Sequence, residues 1–347
     1  MSQPLILSVV DQSPMREGSG PGEALRETIE LAVAVEALGY RRYWVAEHHN
    51  LPNFAGTSPE MMVGQIAART KSIRVGSGGV MLSHYSSLKV AENFRILDSL
   101  YPGRIDLGVG RAPGSDQLTA SALAYPGYPK EIQHFPQQVS DLLGYLSDTM
   151  AEEHPFSQVR AGPSPSETAP QVWLLGSRYE SAMLAARMGL PFAYAHFFGS
   201  SSHEGPAIVE GYRNGFQPSV ALEKPLVNVG VHVLCAETEE EARRLAASRN
   251  LARLKSVTGR AKGIPPVEDA LNFPYRSDEL AFMEQYSRNC VDGDPQQVRE
   301  GLYSLAERYQ TPDLSIVTIC YAYEDRLRSY QLVAETCGVK PVASAPS

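Results

Sequence analysis

The segment Tyr43-Trp44-Val45-Ala46-Glu47-His48-His49-Asn50 ends in adjacent imidazoles, and Val75-Gly76-Ser77-Gly78-Gly79-Val80 follows it with a backbone nearly bare of side chains. Imidazole titrates near neutral pH and can both give and accept a proton, so a histidine at a strand end is a candidate general acid or base. Consecutive strand residues point to opposite faces, and no third histidine or carboxylate cluster accompanies the pair, which argues against a metal site. One of the two histidines is therefore expected to face a pocket, with a hydrogen-bonded structural histidine as the alternative. Gly76, Gly78 and Gly79 weaken a strand interior. They point either to a bulge made for packing or to a flat ligand lying on the bare backbone.

A third segment, Leu174-Leu175-Gly176-Ser177-Arg178-Tyr179-Glu180-Ser181-Ala182, runs from an expected strand into a helix. Ser177 and Glu180 have capping-box spacing, which would account for both residues structurally. The same helix start offers free amides and positive potential, and Ser177, Arg178 and Ser181 add two hydroxyls and a guanidinium, a set suited to a phosphate. Gly108-Val109-Gly110-Arg111-Ala112-Pro113-Gly114 superficially matches a dinucleotide loop. It puts Pro113 where the third glycine of that fingerprint belongs, which argues against a Rossmann reading.

These residues must be positioned by a repeating scaffold. Strands are expected at Leu5 to Val10, Arg42 to Ala46, Ile73 to Met81, Arg104 to Val109, Val172 to Leu175, Pro191 to Tyr194, Leu226 to Leu234 and Leu314 to Cys320, each followed by a helical pattern. Gly39 stands where a left-handed cap ends the helix from Glu23 to Leu38, and Ser58-Pro59 starts another with the Ser58 hydroxyl as cap. Alternating strands and helices imply parallel pairing, and eight units predict an α/β fold, a closed (β/α)8 TIM barrel, with a doubly wound open sheet as the rival. Residues 110–135 and 256–289 break the repeat and are expected as insertions over the C-terminal mouth of a single domain spanning 1–347. Residues 148–168 form a connection before the fifth strand.

Bulk properties bound the function. The 347 residues, 43% hydrophobic and 20% charged, can bury a large core. A net charge of -8 without a Lys/Arg run argues against nucleic acid or an anionic membrane and favours a small-molecule substrate. No apolar run suits a transmembrane helix and the N-terminus lacks a secretory profile, so a cytoplasmic protein is expected. Cys235, Cys290, Cys320 and Cys337 are too scattered for a zinc or disulfide framework and read as buried thiols.

Several ordered motifs resemble the bacterial luciferase-like flavin-dependent monooxygenase superfamily, in its short, single-chain, alkanal-monooxygenase-like branch. They are the Tyr43 to His49 and Ile73 to Leu82 segments, Pro102-Gly103-Arg104-Ile105-Asp106-Leu107-Gly108-Val109-Gly110-Arg111, Gly176-Ser177 with Ser181-Ala182, and Gly293-Asp294-Pro295. The resemblance implies a TIM barrel, a homodimer, reduced FMN supplied by a separate flavin reductase, molecular oxygen, and a flavin 4a-hydroperoxide that oxygenates a small organic substrate. It implies that His48 is catalytic, that Gly78-Gly79 is a non-prolyl cis peptide beside the flavin ring, and that Arg111, Ser177, Arg178 and Ser181 serve the flavin phosphate. Glycine on both sides minimises the side-chain clash of such a bond. Where the luciferase α-chain has a reactive cysteine, this sequence has Gly110, so any role of that thiol is absent. A deazaflavin-dependent hydride-transfer enzyme of the same fold and a non-catalytic flavin-binding protein are the alternatives. Tyr125, Tyr128, Phe135, Tyr194, His196, Phe197 and Phe198 are expected either to line an aromatic pocket or to pack the barrel mouth.

Overall fold

Each apolar run forms a strand and each helical stripe covers it, in a computed structural model that describes residues 3–111, 116–198 and 203–340. The strands are β1 (Ile6–Asp11), β2 (Arg42–Val45), β3 (Arg74–Met81), β4 (Ile105–Gly110), β5 (Gln171–Gly176), β6 (Phe192–Ala195), β7 (Val227–Cys235), β8 (Cys290–Gly293) and β9 (Asp313–Val317). The helices are α1 (Pro21–Leu38), α2 (Pro59–Arg69), α3 (Ser87–Leu100), α4 (Gln117–Ala124), α5 (Phe135–Ser147), α6 (Tyr179–Arg187), α7 (Gly205–Gly215), α8 (Glu239–Val257), α9 (Val267–Leu271), α10 (Ser277–Ser287), α11 (Pro295–Tyr309) and α12 (Tyr323–Cys337).

All strand pairs are parallel, and β1 pairs with both β2 and β9 while β7 pairs with β6 and β9, which closes an eight-stranded barrel and excludes the open sheet. The ninth strand, β8, pairs with the far end of β7, His232 opposite Cys290, and was not expected from the sequence. Helix α1 ends at Gly39 with φ 95°, the left-handed cap anticipated there. Ser58 does occupy the cap position of α2, but its hydroxyl makes no capping bond.

The barrel interior is filled from the bottom upward. Near the strand starts, Arg42 donates to Asp313 at 2.8 Å, Asn228 donates to the other Asp313 oxygen at 2.7 Å, and Arg74 pairs with Asp106 at 2.6 Å. These buried charges are tolerated because each is paired and hydrogen-bonded. Above them Trp44 donates to Asp106 at 2.8 Å and meets Trp173 edge-on at 5.1 Å. The layers end there, below the C-terminal mouth where barrel enzymes place their sites.

Strands β3 and β4 approach so closely that a Cβ on Gly76 would lie 2.3 Å from the Asp106 carbonyl oxygen, and one on Gly108 would lie 2.2 Å from that of Ser77. The pairing shifts register between Gly78 and Val80, so part of the glycine signal is a bulge made for packing. Of the two insertions, 256–289 forms α9 and α10, which pack against α8, and none of its described residues enters the mouth cavity. The 110–135 insertion does reach that cavity, through Gly110, Arg111 and Ile132.

Candidate active site

A cavity of about 390 Å³ opens at the C-terminal ends of the strands. It falls within the ~300–1,000 Å³ common for small-molecule pockets. His48, Gly78, Gly79, Arg111, Ser177, Arg178 and Ser181 all line it, brought together from the loops after β2, β4 and β5, from β3 itself and from the first turn of α6. Its remaining walls are largely apolar, with Val10, Leu175 and Phe197 prominent, and Gln12 and Glu47 add polar groups.

His48 is carried by the loop after β2, because the strand stops at Val45 and the His48 amide turns to donate to the Gly56 carbonyl at 2.9 Å. The expectation of two histidines on opposite faces of a strand is thereby corrected: both belong to the loop. The His48 ring lies against Phe54 with centroids 4.7 Å apart, and its Nδ1 has no hydrogen-bond partner. Burial holds its pKa down to about 4, with the Glu47 charge pulling upward and His49 adding to the depression. Burial keeps the imidazole neutral at neutral pH, and Nδ1 is itself buried without a hydrogen-bond partner. His49 turns away and meets Glu47 Oε1 at 2.6 Å.

Beside His48 the Gly78-Gly79 peptide is cis. A Cβ on Gly78 would stand 2.9 Å from the Trp44 Cβ, and one on Gly79 would stand 2.6 Å from the Gly108 carbonyl oxygen. Packing therefore demands glycine at both positions, and the same requirement leaves a flat wall. The two readings of the glycine signal coincide here.

The third wall is the turn from β5 into α6. The strand continues to Gly176, Arg178 is extended with φ -125° and ψ 156°, and α6 starts only at Tyr179. The capping box expected between Ser177 and Glu180 does not form: Arg178 holds the cap position and no side chain caps it. The leading amides of α6 are thus open to a ligand. Ser177, Arg178 and Ser181 border them, and Arg111 also lines the cavity, paired at 3.7 Å to the exposed Glu180. Uncapped amides, hydroxyls and guanidiniums are the groups that proteins in general use to receive an oxyanion. This wall opens outward into a depression of about 900 Å³ bordered by Tyr179, Phe198 and Arg253.

The aromatic residues divide. Phe197 and Phe198 line the cavity, whereas Phe135, Tyr194 and His196 are buried in packing, His196 Nδ1 meeting the Tyr309 hydroxyl at 2.9 Å. Tyr125 and Tyr128 are 82% and 91% exposed and contribute nothing to the cavity lining. Among the described residues, Met81 Sδ, at 3.7 Å, is what stands near the space a Gly110 side chain would occupy. Of the former dinucleotide-like stretch, Gly108 and Gly110 end β4, and residues 112–114 lie outside the described residues. Gln12, Glu47 and Ile132 are lining residues that sequence reasoning did not single out. Only Glu47 carried a signal, as the residue directly before the two histidines.

A parallel eight-stranded barrel with this mouth defines a TIM-barrel protein of the kind whose strand ends carry chemistry. The chain belongs to the luciferase-like monooxygenase family, whose model matches residues 5–311. It is 46% identical over 330 residues to the uncharacterised YwcH of Bacillus subtilis (strain 168), covering 95% of this chain and 98% of the relative. It is 35% identical over 329 residues to the N-acetyl-S-alkylcysteine monooxygenase of the same organism, covering 95% and 97%. The crystal structure of apo-MsnO8 superposes with a TM-score of 0.89 at 38% identity, covering 97% of this chain and all of that one. Two distant structures share the fold: the oxygenating constituent of 3,6-diketocamphane monooxygenase in complex with FMN (TM-score 0.68, 19% identity) and an F420-dependent secondary alcohol dehydrogenase (TM-score 0.68, 15% identity). Among the described residues, no helix is long and apolar enough to cross a membrane.

Proposed function

We propose that this chain is a flavin-dependent monooxygenase that takes reduced FMN and molecular oxygen and transfers one oxygen atom to a small organic substrate, the other leaving as water. The observation that carries the reading is the convergence of the oxyanion cradle, the flat Gly78-Gly79 wall and His48 on one cavity. The residues fit the cofactor. Ser177, Arg178, Ser181 and Arg111 would hold its phosphate with the α6 amides, and Gly78-Gly79 would lie against its ring. Reduced flavin, when bound, supplies the two electrons that activate oxygen. The apolar walls, Val10, Leu175 and Phe197, keep water from that chemistry. His48, neutral and unpartnered at Nδ1, takes or returns the proton at the reacting group.

In the same reading the reduced flavin comes from a separate reductase, and two copies of the chain pair as a homodimer. Exposed Met61, Ile96 and Leu100 on the adjacent helices α2 and α3 support an apolar contact of that kind. The rival cofactor is the deazaflavin F420, which a structure of the same fold uses. Anaerobic titration of the purified protein with reduced FMN and reduced F420 separates the two. Tighter retention of FMN supports the proposal, and retention of F420 alone overturns it.

A further inference from the structure

Among the described residues Glu47 is the one carboxylate in the cavity wall, and it is wholly buried. Its Oε2 accepts the Met81 amide at 2.9 Å, and its Oε1 accepts the Tyr85 hydroxyl at 2.7 Å and meets His49 Nε2 at 2.6 Å. A buried carboxylate is tolerable only with such a set of partners. The placement of those partners is informative. Glu47 directly precedes His48, while Met81 ends the strand that holds Gly78-Gly79 and Tyr85 lies just beyond it, so one side chain ties the His48 loop to the end of β3. The His48 ring has no polar anchor of its own at Nδ1.

We propose that Glu47 is the positioning residue for His48: its carboxylate fastens the His48 loop to the end of β3 beside the glycine wall and sets a buried negative charge one residue away from His48. This rests on the reading of His48 as the proton-handling group. The ionisable groups around the carboxylate are His48 and His49 on its own loop, Glu60 on α2, and His84 and Tyr85 after β3. The His84 ring stands edge-on to His49 at 6.0 Å. Burial raises the Glu60 carboxyl, and the Glu47 charge raises it further. For His48 the Glu47 charge favours the protonated ring and His49 opposes it.

Burial is the main cause of the low His48 pKa, so loosening the loop alone would raise the midpoint, whereas loss of the Glu47 charge lowers it. The measurement is an NMR titration of ring-labelled histidines in the resting protein, with the His48 signal assigned by its loss in His48→Gln. Glu47→Gln keeps an oxygen for the Met81 amide and removes the charge, so the His48 midpoint moves to lower pH. His49→Gln removes the opposing imidazole, so the midpoint moves to higher pH. A Glu47→Gln titration that superimposes on wild type or moves to higher pH overturns the proposal. If Glu47→Gln fails to fold, Tyr85→Phe, which removes one bond to the Glu47 carboxylate, takes its place, and a His48 titration that superimposes on wild type overturns it. The titration uses neither flavin nor substrate, so a failed monooxygenase assay and a failed titration remain separate results.

Discussion

Gly176 and Ser181 face each other so closely that a Cβ on the glycine would lie 2.6 Å from the Ser181 Cβ and 2.8 Å from its hydroxyl oxygen. The absence of a side chain at the end of β5 is what lets the first turn of α6 fold back and present Ser181 to the cavity. Gly176→Ala must displace that turn, at an overpacking cost of ~1–3 kcal/mol. The expected outcome is a folded protein that binds FMN about tenfold more weakly, equivalent to ~1.4 kcal/mol. Fluorescence titration of FMN reads the effect, and an unchanged dissociation constant would detach Ser181 from the cradle.

Ser177 and Arg178 should act on the phosphate rather than the ring. Hydrogen bonds to a charged group contribute ~1.5–3 kcal/mol, so Ser177→Ala with Arg178→Ala should weaken FMN at least about tenfold. Riboflavin, which lacks the phosphate, should bind wild type and variant alike. Equal losses for both ligands would place these residues elsewhere in the site.

Two glycines of β4, Gly108 and Gly110, should respond oppositely. Gly108→Ala drives a Cβ to 2.2 Å from the Ser77 carbonyl oxygen, a backbone atom that cannot step aside, and soluble expression should collapse. Among the described residues Gly110→Ala meets only Met81 Sδ at 3.7 Å, and it should express and melt like wild type. Thermal denaturation of the two variants checks the contrast, which also shows whether the wall at Gly110 has the room expected where the luciferase α-chain carries its cysteine.

Burial pushes His196 and His232 down to about 4 and about 3, with Arg308 and Arg249 adding to the respective shifts. An unfolded histidine titrates near ~6.5, so between these values the unfolded chain binds more protons than the folded one. Stability should therefore fall as pH drops below about 6.5 and level off below the folded values, at up to ~1.4 kcal/mol per pH unit per histidine. Urea midpoints measured from pH 7 to pH 4 should decline more steeply in wild type than in His232→Asn. Parallel declines would mean that other groups dominate the acid limb.

The barrel was legible because its strands are short apolar runs bounded by Gly, Pro or Asp, and because Gly39 and Pro59 punctuate the helices between them. Strand β8 was not, since Cys290-Val291-Asp292-Gly293 is short, of mixed polarity, and exists only by pairing with the end of β7. The capping box at Ser177 failed for a related reason: pairing of Gly176 with Tyr194 on β6 keeps the chain extended past the position where spacing alone starts the helix. Every candidate site residue named from sequence lies on one cavity, yet Tyr125 and Tyr128 point to solvent, because composition does not reveal which face an insertion presents. The Glu47–Met81 contact was invisible for the same kind of reason. It joins a loop to the end of a strand, and their separation in sequence carries no periodic signal.

The central claim is that this cavity oxygenates a substrate with a reduced flavin. The most direct test mixes the protein, anaerobically loaded with reduced FMN, with oxygen-18 gas and a panel of thioethers, aldehydes and polycyclic metabolites, and reads product mass. The account predicts a product carrying one labelled oxygen atom with wild type, and its loss in His48→Ala while FMN affinity stays within a few-fold of wild type. Labelled product undiminished in His48→Ala would remove His48 from the mechanism. Oxidation of the flavin with no labelled product from any substrate class would contradict the monooxygenase assignment.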